Sequence, residues 1–464
     1  MRYPLGIAML AAVVACTGPC RAESKIPANL SLADAVSLAL GMNANLKQAE
    51  ESKRTALANL RIAGYGSSFD FGTTTNLNRA GSSSDLSSLV TSSLSMENSL
   101  GTKASVDLSP LGLGSKYGGL GVSLRQALRK GFGPLSSKSL ALKSAQSSAT
   151  VESKQLFITR QSTVQGTIEA YYGAVLAREQ VKVREQAVTN AEKLAAEWRA
   201  KEKEQIAAGI DVTRSEIQVA QSKNALNSQQ RTARNAIDRL MIAIGGGIGE
   251  TPQLIDSVPE ADPEVPPLAD AIKTALDNRG ELTIYDERLA EQERQAELAK
   301  DQLKPQLDLV AGFNGRRDSA GFLSRSIFND GALNAGVEYS VPLDRRIVQE
   351  KRDIATRQLD VLRNLRAFQT DQIVEEVRTA YRRVESARAS IEILTKNKEV
   401  AQQNIDFANL MVANDVGTSR DVVEAQQALT EADTSLLSAK TDLYLAVIDL
   451  KRVMGEDLTT MEFK

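Results

Sequence analysis

Asp211-Val212 recurs 210 positions further on as Asp421-Val422. The same shift pairs Val164 with Val374, Ala170 with Ala380, Tyr171 with Tyr381 and Ala177 with Ala387. It also pairs Leu226 with Leu436, Leu240 with Leu450 and Gly245 with Gly455. An ungapped match over this length requires two helical hairpins of equal length. Upstream, Leu32-Ala33-Asp34-Ala35-Val36 recurs as Leu268-Ala269-Asp270-Ala271-Ile272, shifted by 236. The chain is therefore two copies of one unit, and an internal repeat governs every other reading of the fold.

Composition narrows the chemistry. The 464 residues carry 56 basic against 58 acidic side chains, so no basic excess points to nucleic acid. There is no histidine, which removes the commonest general base and metal ligand. The two cysteines, Cys16 and Cys20, both lie in the N-terminal leader. No catalytic constellation, cofactor motif or metal-ligand spacing is present in the body of the chain. The glycines from Gly245 to Gly249 follow a helical run and lack a phosphate-loop lysine, so they read as a helix stop. Aromatic content is only 4%, while Ala, Gln, Glu, Lys, Arg and Leu abound, as in long helices packed through narrow seams.

The N-terminus reads as a secretory signal, with Arg2 ahead of an apolar run from Leu5 to Ala15 that is too short to span a bilayer. Two processing routes fit. Cleavage after Ala22 removes residues 1–22; alternatively, Val13-Val14-Ala15-Cys16 is a lipobox, residues 1–15 are removed, and Cys16 is lipidated. No later stretch supplies the roughly 20 apolar residues of a membrane-spanning helix.

The first unit occupies residues 23–250. Ser31 to Gly64 reads as one helix, capped by Ser31 with Asp34 three residues on. Phe69, Phe71, Thr73, Thr75 and Leu77 then alternate with polar or small residues, giving a strand at about 67–78. The Ser/Gly-rich stretch from Ala80 to Ser99 reads as a loop. Two alternating runs follow, Ala104-Val106-Leu108 and Leu120-Val122-Leu124, and one or both form the returning strand, with 118–126 assigned to it. After Gly131-Phe132-Gly133-Pro134 a helix runs to about Ala208, and ~70 residues at 1.5 Å each is roughly 100 Å. A second helix, Asp211 to Ile244, returns half that distance. Residues 251–267 form a linker rich in proline and acid. The second unit, 268–464, repeats the plan with a helix to about Leu303, strands at about 305–314 and 334–342, and a second long hairpin. In that hairpin Val377, Val384 and Ile391 fall seven apart, a coiled-coil seam.

Together these features resemble the outer membrane efflux protein family, the TolC-like channel-tunnels. The resemblance rests on the Leu-Ala-Asp-Ala openings at Leu32 and Leu268 and on Val341-Pro342-Leu343 at a strand exit. It rests also on the Val416-Gly417-Thr418 tip before Asp421-Val422 and on the terminal Gly245 and Gly455. It implies a mostly α chain with a β-barrel contribution: four strands per protomer, a trimeric barrel of twelve in the outer membrane, and an α-helical tunnel through the periplasm. It implies as partners two further copies of the chain, a periplasmic adaptor (membrane fusion) protein, outer membrane lipid and an inner-membrane transporter of RND, ABC or MFS type. Paired strands with one apolar face independently demand closure, because backbone groups in lipid must all be bonded.

The hairpin tips are the candidate site. The family places acidic residues where Asp421, Glu424 and Asp211 stand, as rings narrowing the periplasmic entrance; Arg214 replaces the second acid in the first unit. The plainer reading makes Asp211 and Asp421 helix-start carboxylates favourable to the dipole. Gly209, Ile210, Val416, Gly417 and Thr418 are the expected adaptor-docking positions, or simply turn residues. Phe69, Phe71, Phe313 and Tyr339 belong either to an aromatic belt or to the barrel wall. The expected activity is a passive exit duct in a tripartite efflux or secretion system, without enzymatic chemistry. The alternative is a periplasmic coiled-coil adaptor or structural lipoprotein, which leaves the alternating strands unexplained.

Overall fold

Helical periodicity sustained for nineteen turns can only make a rod, and two such rods dominate the protein. The computed structural model describes residues 26–461, except 66, 80–85, 110–117, 206–207, 248, 250, 259–263, 318–330, 342 and 415. The signal region with Cys16, Ala207 of the first tip and Pro342 at the strand exit therefore lie outside the described residues.

The first unit opens with a short strand β1 (Asn29–Leu30) and helices α1 (Leu32–Met42) and α2 (Ala44–Gly64). Strands β2 (Ser67–Arg79), β3 (Leu86–Asn98), β4 (Thr102–Ser109) and β5 (Gly118–Ala127) follow. Then come the long helix α3 (Ser137–Lys203), its return α4 (Gly209–Ile244) and a short strand β6 (Gln253–Leu254). The second unit comprises α5 (Leu268–Asn278), α6 (Gly280–Asp301), β7 (Gln306–Arg317), β8 (Gly331–Ser340), α7 (Arg346–Ala413) and α8 (Ser419–Val453).

Beside the sheet, α2, α3, α6 and α7 pack side by side in that order; at the tip end the order is α4, α3, α8, α7. The wall is thus four helical columns wide throughout. Two columns are continuous. The other two are stacked from half-length pieces, and their joints explain a difference from the sequence reading. Ser31 to Gly64 is two helices, not one, because Asn43 leaves the helical conformation and caps α2, its Oδ1 accepting from the amides of Asn45 and Leu46. Its Nδ2 donates to the carbonyl of Ala243 at the end of α4, 3.2 Å away. In the second unit Arg279 occupies the matching break. Its buried guanidinium binds Glu281 (2.9 Å), Glu376 (2.8 Å) and the carbonyl of Val453 at the end of α8 (3.3 Å). Gly245 and Gly455 end the returning helices in the left-handed region, at φ +85° and +76°. Each is pressed against its joint: a Cβ on Gly245 would meet the Met42 carbonyl at 3.0 Å, and one on Gly455 would meet Asn278 at 3.0 Å.

The main apolar core gathers at the first joint, where Val164, Ile168, Tyr171 and Val175 of α3 meet Leu30, Leu240, Ile244 and Leu254. Tyr171 is fully buried there. Its hydroxyl lies 2.6 Å from the Asp256 carboxylate and 3.0 Å from the Leu30 carbonyl, while Arg178 donates to the Leu254 and Asp256 carbonyls. These bonds strap the β1–β6 pair across α3. Burial pushes the Tyr171 phenol well above its usual range, so it stays a neutral donor.

The sheet has six strands where the resemblance implied four. Their order is β2-β3-β4-β5-β7-β8, all antiparallel. Residues 80–99 are not a loop, since β3 fills most of the stretch, and both alternating runs before Ala127 are strands. Serine obscured β3. A strand paired along its whole length with β2, and over Ser92–Glu97 with β4 as well, takes its backbone bonds from them and needs little side-chain propensity of its own. The register aligns one apolar row across every strand: Phe71, Leu94, Val106, Val122, Phe313 and Leu333. Phe71 and Leu333 on that face are 72% and 83% exposed. The opposite face carries Asp70, Ser95, Ser105, Ser123, Gly312 and Asn334 in register.

Gly245→Ala should destabilise the chain by about 1–2 kcal/mol, because a non-glycine residue is strained in the left-handed region. The check is the thermal midpoint followed by circular dichroism. Gly247→Ala, where an added Cβ meets nothing within 4 Å, serves as the control and should leave the midpoint in place.

The paired helical tips as a candidate functional site

The tips are where the two hairpins differ most, and the difference starts at the helix caps. At the start of α8, Thr418 caps the helix and forms a reciprocal box with Asp421. The Asp421 carboxylate accepts from the Thr418 amide at 2.9 Å and the Thr418 hydroxyl at 2.7 Å. These bonds, the backbone one first, hold the Asp421 carboxyl below its usual pKa range. At the start of α4 the position equivalent to Thr418 is Ala208, which has no capping hydroxyl. Asp211 is thereby left without a box of its own. It reaches instead to the second hairpin, where the buried Ser419 hydroxyl donates to it at 2.7 Å.

Two more bonds join the hairpins at this end: Gln427 to Gln218 at 2.7 Å, and the Lys201 ammonium to the Val412 carbonyl at 3.1 Å. Lys201 also stands 5.4 Å from the Trp198 ring centre, within cation–π reach. Beneath them Leu194, Trp198, Val212, Ile405, Val422 and Ala425 form a small apolar core.

The expected acidic residues are therefore placed as follows. Asp421 faces Thr418; Glu424 pairs with Arg420 at 2.6 Å on the exposed face; Asp211 bridges to Ser419 and lies 4.0 Å from Arg214. Within one chain Asp421 and Glu424 take their hydrogen bonds from different donors, Thr418 and Arg420, while the Arg420 charge lies near both carboxylates. Of the expected docking positions, Ile210 and Val416 are 57% and 68% exposed, and Gly209 and Thr418 are exposed as well. Gly417 is required by close approach, since a Cβ there would lie 2.9 Å from the Val412 amide. Ser419 belongs to the tip segment expected to dock the adaptor, but its bond to Asp211 was missed by sequence reasoning. The signal for it was the Thr418/Ala208 mismatch under the 210 shift, which marks one tip as lacking its cap.

In the sheet, Phe71 and Phe313 fall in the same row, but Tyr339 is six residues further along β8 than Leu333, about 20 Å nearer the helices. The three aromatics thus do not form a single ring within one chain. Phe69 pairs with Met96 through the backbone, and its side chain lies outside the described ones. Among the described residues no cluster of three or more metal-ligating side chains occurs, and no helix is long and apolar enough to cross a membrane.

Two comparisons bear on this arrangement. Residues 271–456 match the sequence model of the outer membrane efflux protein family. The whole architecture matches solved channels, among them CusC at a TM-score of 0.72 and 13% identity, covering 92% of each chain. The chain has the fold of these outer membrane channels. CmeC, the outer membrane channel of Campylobacter jejuni, superimposes at 0.71 with 15% identity, covering 93% of this chain and 87% of its own. The outer membrane protein VceC of Vibrio cholerae does so at 0.71 with 15% identity, covering 92% and 96%. No curated protein sequence matches. The shared fold and the family match over the second unit both point to outer membrane proteins, in line with the sequence resemblance.

Two outcomes are expected at the tips. A depressed carboxyl contributes order that is present above its unfolded pKa of ~3.9 and fades as pH falls through the lower folded value. Hydrogen exchange at the Thr418 amide should thus show protection from neutral pH down to about pH 4 and loss below it. Asp421→Ala should abolish that protection at every pH. Separately, Asp211→Ala and Ser419→Ala should couple by about 1 kcal/mol in a double-mutant cycle of unfolding free energies.

Proposed function

We propose that three copies of this chain close into one barrel in the outer membrane of a Gram-negative bacterium. Their helical walls close below it into a tunnel through the periplasm. The assembly is a passive exit duct for a tripartite efflux or secretion system, joined through a periplasmic adaptor to an inner-membrane transporter that supplies the energy. The observation carrying this reading is the sheet: six strands with one apolar face and two unpaired edges, β2 and β8. An open edge cannot stand in lipid, where each unbonded backbone group costs several kcal/mol. Strand β2 runs away from the helices and β8 runs back, so the edges of neighbouring copies meet antiparallel and the ring can close. The family match and the fold shared with outer membrane channels support the same conclusion. An adaptor or structural lipoprotein would have no use for such a sheet.

At the other end, three-fold symmetry would bring three sets of Asp211, Asp421 and Glu424 around the axis as a cation-preferring constriction. The exposed Gly209, Ile210, Val416 and Thr418, with the half-buried Gly417 between the last two, would meet the adaptor. Asp211–Ser419 is then one of the bonds holding the hairpins of a copy together at the closed end.

Outer membrane fractions should yield a heat-resistant trimer band on gels; the adaptor reading predicts none. In planar bilayers, Asp421→Ala/Glu424→Ala should lower cation selectivity and change the single-channel conductance. If both quantities stay unchanged, the acidic residues do not form the constriction, whatever the fate of the duct.

A further inference from the structure

Strands β3 and β4 are the part of the sheet that the family resemblance does not anticipate, and the observations assign them a place. We infer that the β3–β4 hairpin stands in the membrane wall, so that each copy presents six strands to lipid and to its neighbours' edges, and a trimer closes as a barrel of eighteen strands. The inference rests on the trimeric duct proposed above and concerns the width and composition of its wall.

Four observations carry it. First, the apolar row is unbroken through the hairpin: Leu94 and Val106 pair with each other and lie between Phe71 and Val122. The next row repeats this with Met96 and Ala104 beside Leu124. A hairpin folded over the barrel mouth, wet on both faces, would have no reason to keep one face apolar in register with its neighbours. Second, the polar face is continuous too. Ser105 and Ser123 bond across β4–β5 at 2.8 Å, and a ladder of charges near the helices begins in the hairpin: Glu97–Lys103 at 3.6 Å, then Arg125–Asp308 at 3.2 Å and Arg125–Glu338 at 2.8 Å.

Third, the hairpin obeys the asymmetry of outer-membrane barrels, in which turns on the periplasmic side are short and loops on the outer side long. β3 joins β4 through Ser99–Gly101 on the helix side. That turn is fixed to the root of α3, with the Ser136 hydroxyl donating to the Ser99 carbonyl at 2.5 Å and the Gly133 amide to the Leu100 carbonyl at 3.4 Å. Gly101 sits there at φ +85°, and a Cβ would lie 2.7 Å from the Gly131 carbonyl. The connections at the far end, 80–85, 110–117 and 318–330, are all longer.

Fourth, the widths agree. Strands ~4.8 Å apart and tilted by about 40° occupy about 6 Å of circumference each, so six take up about 38 Å and four about 25 Å. Four helical columns spaced about 8–10 Å apart take up about 32–40 Å. Six strands continue the helical wall at its own width; four would require it to taper.

The test places single cysteines, in a Cys20→Ser background, on the apolar face at Leu94→Cys and Val106→Cys in the hairpin, and at Val122→Cys and Leu333→Cys as references in β5 and β8. Each full-length protein carries an environment-sensitive fluorophore and is reconstituted in vesicles of phosphatidylcholine with brominated acyl chains. All four labels should lose roughly half or more of the emission seen in unbrominated vesicles, as lipid-facing strand residues do. On the polar face, Ser95→Cys and Ser105→Cys should show no such loss and should react with a charged, water-soluble maleimide. Quenching at Val122→Cys and Leu333→Cys without quenching at Leu94→Cys and Val106→Cys would overturn the eighteen-strand wall and leave the duct standing with twelve. Absence of quenching at all four would overturn the duct reading as well.

Discussion

An unpaired strand edge is the constraint from which the rest of this architecture follows. The outward-pointing backbone amides and carbonyls of β2 and β8, those not bonded to β3 and β7, need partners, and a hydrocarbon environment would offer none. The chain cannot curl its own six strands into a tube without leaving the helical wall open. The two edges are antiparallel to each other. In the proposed trimer they meet the edges of further copies, and oligomerisation then completes the hydrogen bonding of the sheet.

Below the sheet, duplication supplies a wall of constant width, and divergence between the copies supplies its fastenings. The two joints are made differently. Asn43 uses an amide that caps one helix and grips another, whereas Arg279 uses a buried guanidinium shared by two carboxylates and a carbonyl. Burial alone would disfavour the charged Arg279, yet Glu281 and Glu376 raise its pKa, so the ion pairs outweigh desolvation. Tyr171 straps the first joint, while Tyr381, its counterpart, is only half-buried in the apolar seam of the second. At the tips the loss of one capping hydroxyl, Ala208 against Thr418, frees Asp211 to bind across to Ser419. Symmetric copies would have had two self-satisfied caps and no such bond between them.

The long helices were legible because their period persists far beyond the reach of local accident, and the duplication fixed their relative lengths. The joints were not. Asn43 caps α2 through amides two and three residues on, a local signal that one asparagine among many helical residues does not make stand out; the arginine break is held by partners 97 and 174 residues away. Strand β3 was hidden for a related reason: its serines carry little strand preference, and its neighbours impose the conformation. At the tip, Asp421 could be read as a helix-start carboxylate because its partner is three residues away. Ser419 could not be paired with Asp211, since that contact exists only once the hairpins lie side by side.

The left-handed glycines that end α4 and α8 have one more consequence. Each returning helix is pinned at both extremities, by the bonded tip and by a glycine wedged into a joint. One extra residue between them would rotate everything beyond it by about 100° and lengthen the rod by about 1.5 Å. Neither error can be absorbed by a stop that tolerates no added carbon. Such a span admits substitution freely but not insertion or loss, and this explains why two copies that now share so few side chains still keep step, residue for residue, from Val164 and Val374 to their terminal glycines.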